Sequence, residues 1–258
     1  MDDNRSERCV RWSVGVITAP RQKGYYLDRT LESLKNAGWE AVVFAEPGSI
    51  VPSSWQTVSR RKQFGDWSNW ACGLYELLLT EPESDYFFMA EDDVVLWNGS
   101  KKYLEQWLPL LEPFGAVSIY CPQQYYQKKF VGFHNECHDW RTCTTQTVIM
   151  SRDSVISFFS DPLVQRHRFE HTLPIPAEKV PWGVEVDPKN SVKDAVIGMW
   201  AARNKLPIYF HSPSLGQHIG EHSTLTSKAA HTATDFVDED CQSAINPLIR
   251  KFVQPPVF

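Results

Sequence analysis

The chain has 258 residues, 42% of them hydrophobic, and a formal net charge of -5, so it is long enough to bury a core without disulfide staples, as one large α/β domain or two small ones. It carries no long basic run, which excludes the electrostatic footprint of a nucleic-acid or anionic-membrane binder and leaves a small molecule or a glycan as the expected ligand. No apolar run reaches the roughly 20 residues that span a bilayer, and the charged start MDDNRSERC lacks the apolar stretch of a signal peptide, so a cytoplasmic chain without a transmembrane segment is expected.

In chain order, residues 13–18 (SVGVIT) form a short apolar, β-branched run that predicts a buried strand. A loop with Pro20 and Gly24 follows, then a helix with Leu27, Leu31 and Leu34 on one face, ended by Gly38. Residues 41–44 (AVVF) predict a second strand stopped by Pro47 and Gly48, residues 69–79 a helix, and residues 86–90 (YFFMA) a third strand that runs straight into Glu91, Asp92 and Asp93. Strand and helix in alternation imply a parallel sheet with right-handed crossovers, and ligands of such sheets sit beyond the carboxyl ends of the strands.

The second half is more mixed. It predicts a helix over 102–111, a strand over 116–120, a polar loop, a strand over 145–150 and a helix over 154–159. A proline-punctuated stretch to 188, a helix over 192–204 and a strand over 208–210 come next. No repeat and no linker interrupts the chain, so a single α/β domain over 1–258 is expected, with a mostly parallel central sheet flanked by helices and a peripheral tail over 226–258.

The ten tryptophans mildly favour stacking on sugar faces, with core packing as the alternative. Cys9, Cys72, Cys121, Cys137, Cys143 and Cys241 are scattered through a chain that does not depend on them, which points to thiols in a reducing compartment. The exception is HNECHDWRTC, where His134, Cys137, His138 and Cys143 crowd together. They are candidates for a zinc site or a small disulfide loop, at spacings that match no standard zinc pattern.

Three carboxylates at a strand end are costly unless something positive binds there. Glu91, Asp92 and Asp93 therefore suggest a divalent cation, Mn²⁺ or Mg²⁺, shared with a nucleotide diphosphate. A turn of solvated acids or a helix cap is the alternative. His218, in PSLGQHIGEHSTL after the last strand, is an imidazole of the kind that completes a carboxylate and phosphate shell, although His218 and His222 also fit ordinary hydrogen-bonded roles. Asp194 opens a helix that is otherwise apolar (KDAVIGMW), which sets one acid at the mouth of a pocket where a base could deprotonate an acceptor hydroxyl. A helix N-terminal acid favoured by the dipole is the other reading, and Glu185 and Asp187 compete for the role.

Together these segments resemble the N-acetylglucosaminyltransferase IV family. TAPR at 18–21 with YLDRTLESL at 26–34 is similar to its T-x-x-R…YL-x-x-TL-x-SL opening, and PSLGQHIGEHSTL at 213–225 to its P-S-L-x-Q-H-x-G-x-H-S-S-L segment, with YFFMAEDDV between them. The resemblance implies a GT-A fold, with a donor half over about 10–120 and an acceptor half over about 121–225. It implies a UDP-sugar donor, UDP-GlcNAc in the family, a divalent metal, and transfer to a glycan or glycoconjugate with inversion. By matched position Asp93 and His218 would hold the metal, with Asp92 and Glu91 beside them. Thr18 and Arg21 would touch the nucleotide, Glu46 the uridine, and Asp194 would be the base. Animal members carry an anchor, a stem and a further carbohydrate-binding region, so this chain reads as a compact relative, and the stretch before Asp194 departs from the family.

Two other classes fit parts of the sequence. A metal-dependent nucleotidyltransferase would show a glycine-rich, basic phosphate loop after the first strand, where TAPRQKGYY offers little. A catalytically silent sugar-binding module would use the aromatic residues but has no need of a diphosphate clamp. A retaining transferase shares the metal motif, and the Asp194 assignment favours inversion.

Overall fold

The computed structural model describes residues 9–21, 24–128, 130–135, 145–165, 193–220, 233, 235 and 236. In chain order the elements are β1 (Trp12–Thr18), α1 (Leu27–Asn36), β2 (Val42–Ala45), β3 (Thr57–Ser59), α2 (Asp66–Thr80), β4 (Tyr86–Glu91), β5 (Val94–Leu96) and α3 (Ser100–Leu111). They continue as β6 (Ala116–Ser118), a 3₁₀ turn at Gln123–Tyr125, β7 (Gly132–Asn135), β8 (Thr147–Ser151), α4 (Arg152–Ser160), α5 (Lys193–Arg203), β9 (Ile208–Ser212) and β10 (Gly216–His218).

β1 is buried along all but its first residue, which suits a strand covered on both faces. It pairs in parallel with β2 on one side and β4 on the other. An eight-stranded sheet grows around it in the order β3-β2-β1-β4-β8-β6-β9-β7. β8 runs antiparallel to β4 and β6, and β7 antiparallel to β9. The expected mostly parallel sheet flanked by helices is what forms, and a single sheet carries strands from both halves of the chain.

Side chains alternate across the strands. Tyr86, Phe88 and Ala90 of β4 face α1 and α3, in a core with Leu27, Leu31, Leu34, Leu104 and Leu108. Phe87 and Met89 face α2, α4 and α5, in a second core with Trp70, Leu74, Phe158, Val196 and Trp200. Gly15 makes that second packing possible, because a Cβ there would lie 2.7 Å from the Met89 sulfur and 2.8 Å from the Phe44 ring. Among the described tryptophans, Trp39, Trp67, Trp70, Trp97 and Trp200 are buried, so core packing accounts for them.

Several elements differ from the sequence expectation. α2 begins at Asp66, earlier than residue 69, because Gly65 with φ 82° turns the chain into the helix there and Trp67 already packs in the core. β3, β5, β7 and β10 were not expected. β3 is largely exposed, and β10 is the sequence GQH, so neither has the apolar pattern that marks a strand. β10 pairs antiparallel with β5 in a small second sheet: Gly216 with Leu96, Gln217 with Val95 and His218 with Val94. Ala233, in the expected peripheral tail, is buried, and its backbone N–H donates to Gln217 Oε1 at 2.7 Å. Among the described residues no helix is long and apolar enough to cross a membrane.

Candidate functional site

From β1 the chain crosses to β2 and β3 on one side and then returns to β4 on the other. Such a reversal marks the end of an open α/β sheet where ligands bind, here the carboxyl ends of β1 and β4. Thr18 ends β1 and Glu91 ends β4, and Ile17 pairs with Glu91 across the ladder.

Five of the expected site residues meet at this end of the sheet. Thr18 Oγ1 donates to Asp92 Oδ2 at 2.6 Å. The Arg21 guanidinium donates to Asp92 Oδ1 and, at 2.7 Å, to Asp93 Oδ2, and it lies 5.4 Å from the centroid of the Tyr26 ring. His218 Nε2 is 3.0 Å from the same Asp93 oxygen. The β5–β10 ladder explains that meeting: pairing His218 with Val94 sets the imidazole beside Asp93, and Ile219 N–H donates to the Asp93 carbonyl at 2.8 Å.

Asp92 and Asp93 are buried, and their neighbours shift them in opposite directions. Burial pushes the Asp92 carboxyl above its usual range despite the Arg21 guanidinium. Burial acts the same way on Asp93, but the His218 imidazole and Arg21 outweigh it and hold that carboxyl below its usual value.

Glu91, Glu46 and Asp194 lie on other contacts. Glu91 shares the strand face of Met89, and its Oε1 accepts from Lys193 Nζ at 2.8 Å, while the same ammonium reaches Asp66 Oδ1 at 2.6 Å. Burial pushes the Glu91 carboxyl up to about 7 against the pull of Lys193. Burial also acts to lower the Lys193 pKa, but Asp66 and Glu91 raise it on balance, so the ammonium stays protonated. The Glu46 carboxylate accepts the backbone N–H of Phe64 at 2.9 Å and of Gly65 at 2.9 Å, at the entrance to α2. Asp194 Oδ1 accepts the N–H of Thr145 at 3.0 Å, one residue before Gln146, whose carbonyl accepts Glu91 N–H at 3.0 Å.

Sequence reasoning missed Lys193 and Gly220. A lysine opening an apolar helix beside an acid was the available sign of the first. A Cβ on Gly220 would lie 2.4 Å from Asp93 Oδ2 and 3.2 Å from His218 Nε2, a closeness that sequence does not reveal. His134 is buried, with Nε2 3.0 Å from Ser212 Oγ. Cys137, His138 and Cys143 of the expected zinc or disulfide loop, together with Glu185, Asp187, His222 and Cys241, lie outside the described residues.

Asp93 and His218 are two donors of the kind a divalent cation takes. Asp93 Oδ1 is buried and has no hydrogen-bond partner among the described residues, and an imidazole stands beside it. No group of three or more His, Cys, Asp and Glu side chains placed to hold a metal ion occurs among the described residues, so a metal here would need much of its shell from a ligand and water, as Mg²⁺ commonly does.

The architecture is a GT-A-type fold, a large central sheet flanked by helices. It is similar to S. aureus TarS, with a TM-score of 0.50 and 13% identity over 96% of this chain and 41% of that one. Against TarS 1–349 the TM-score is again 0.50, at 13% identity, over 96% of this chain and 67% of that chain. A197 from STIV overlays 88% of this chain and 95% of its own at a TM-score of 0.45 and 14% identity. The chain thus spans about two fifths (41%) of the length of TarS. No protein-family model and no curated protein sequence matches it.

Proposed function

We propose that the chain is a metal-dependent, inverting glycosyltransferase that moves a sugar from a UDP-sugar to a hydroxyl of an acceptor glycan. The observation that carries the reading is the convergence of Thr18, Arg21, Asp92, Asp93 and His218 at the switch point between β1 and β4. The GT-A fold supports it, and the resemblance to the N-acetylglucosaminyltransferase IV family favours GlcNAc as the sugar.

In this reading Asp93 and His218 hold Mn²⁺ or Mg²⁺. Held there, the ion would supply stabilisation of the charge that develops on the leaving diphosphate. Arg21 supplies a planar fork of donors for phosphate oxygens, and Thr18 fixes the Asp92 carboxylate. Glu46 has given much of its acceptor capacity to the Phe64 and Gly65 amides and keeps a lone pair for a uracil N–H.

Asp194 is the proposed base. It takes the proton of the acceptor hydroxyl as that oxygen bonds to the anomeric carbon from the face opposite the departing diphosphate, which inverts the configuration. Lys193, the preceding residue, ties this end of α5 to Glu91.

Calorimetric titration of UDP, with and without Mn²⁺, into wild type and Asp93→Ala tests the donor site. Tight binding that requires both the ion and Asp93 supports it. Binding absent or indifferent to both overturns it and leaves the sugar-binding module. Asp194→Asn tests the base: transfer should fall by about 10²-fold or more while Mn²⁺-dependent UDP binding is retained.

A further inference from the structure

Asp93 Oδ2 is the crowded oxygen of the site, with the Arg21 guanidinium at 2.7 Å and His218 Nε2 at 3.0 Å. The same guanidinium nitrogen also donates to Asp92, whose second oxygen is taken by Thr18. One positive group therefore spans the two carboxylates on which a divalent cation would depend. A guanidinium cannot lose its proton to make room, and a doubly charged ion on Asp93 would stand against it in a buried setting where screening is weak.

A diphosphate changes that balance. Its oxygens accept the guanidinium fork in the two-pronged manner arginine favours, and they neutralise the ion as well. Arg21 lies over the Tyr26 ring, which offers the side chain a surface to rest on when it leaves Asp93.

We propose that Arg21 and the divalent cation compete for the Asp93 carboxylate, so that the ion binds tightly only when a diphosphate draws the guanidinium away. The inference rests on Asp93 and His218 being the metal-binding pair. Its consequence is a linkage: the ion and the nucleotide each raise the other's affinity by the same factor, and part of that factor belongs to Arg21.

The test is calorimetry of Mn²⁺ alone on the full chain as wild type, Arg21→Gln, Arg21→Lys and Asp93→Asn. Removing the competitor should tighten Mn²⁺ binding by about tenfold in Arg21→Gln and less in Arg21→Lys, and should weaken UDP binding measured at saturating Mn²⁺. Mn²⁺ affinity equal to or below wild type in both Arg21 variants, with cooperative thermal transitions retained, overturns the competition. If wild type and Asp93→Asn bind Mn²⁺ alike, the metal assignment itself fails and the competition falls with it. If Arg21→Gln does not fold, Arg21→Lys carries the comparison alone.

Discussion

Lys193 Nζ lies 2.8 Å from Glu91 Oε1 and 2.6 Å from Asp66 Oδ1, with its own side chain only 2% exposed. One buried ammonium thereby fastens the first residue of α5 to the end of β4 and the start of α2. Removing it strands two carboxylates that keep some access to water, each 23% exposed. Lys193→Met should therefore cost roughly 2 to 3 kcal/mol, below the full penalty of breaking a wholly buried pair. Urea unfolding near pH 7.5 checks this, and a change under about 0.5 kcal/mol would show the pair to be energetically idle.

His211 predicts a dependence of stability on acid. Its Nδ1 is 2.6 Å from the Pro213 carbonyl and its Nε2 2.8 Å from the Tyr103 hydroxyl. A carbonyl only accepts, so Nδ1 carries the proton and Nε2 accepts from Tyr103. Burial lowers the pKa from 6.5 to about 4, with a small push from His134. The unfolded chain takes up the proton first, so this stability is whole above about pH 6.5 and drains away as pH falls toward 4, by up to roughly 3 kcal/mol. Urea unfolding should lose roughly 2 kcal/mol between pH 7.5 and pH 5. His211→Gln should flatten that slope, and an unchanged slope would assign it to other groups.

Gly220 sets the distance between the two proposed metal ligands and their surroundings. A methyl group there would press on Asp93 Oδ2 and approach the His218 imidazole. Gly220→Ala should weaken Mn²⁺-dependent UDP binding by about tenfold or more, with a thermal midpoint close to wild type. Undiminished binding in calorimetry would show that this part of the chain shifts aside.

Glu46 holds the entrance to α2 through the amides of Phe64 and Gly65. In Glu46→Gln one acceptor becomes an N–H₂ facing a backbone donor, so the expected cost is about 1 to 3 kcal/mol. Chemical denaturation gives the number directly. A variant as stable as wild type would mean that the loop is held by other contacts.

The sequence made the first half of the sheet legible because its strands are apolar on both faces, and 86–90 with its acidic end was located to within a residue. β7 was missed, and β8 was expected over 145–150 but not its antiparallel direction: periodicity reports which face is buried, not which way a strand points. The candidate site was legible as residue types, Thr18, Arg21, Asp92, Asp93 and His218. The approach of His218 to Asp93 was implied only by the family resemblance, because it depends on β10, three residues with no apolar signature. For Glu46 and Glu91 the residue type was legible but the partners were not, since sequence does not reveal the amides of Phe64 and Gly65 or the ammonium of Lys193.

The pairing of β5 with β10 sets an order of events during synthesis. Thr18, Arg21, Asp92 and Asp93 leave the ribosome early, whereas His218 arrives only after the strands of the main sheet have been made. A nascent or prematurely ended chain would therefore carry the acidic pair with its arginine but lack the imidazole beside it, and the five-residue cluster would be complete only in molecules translated through β10.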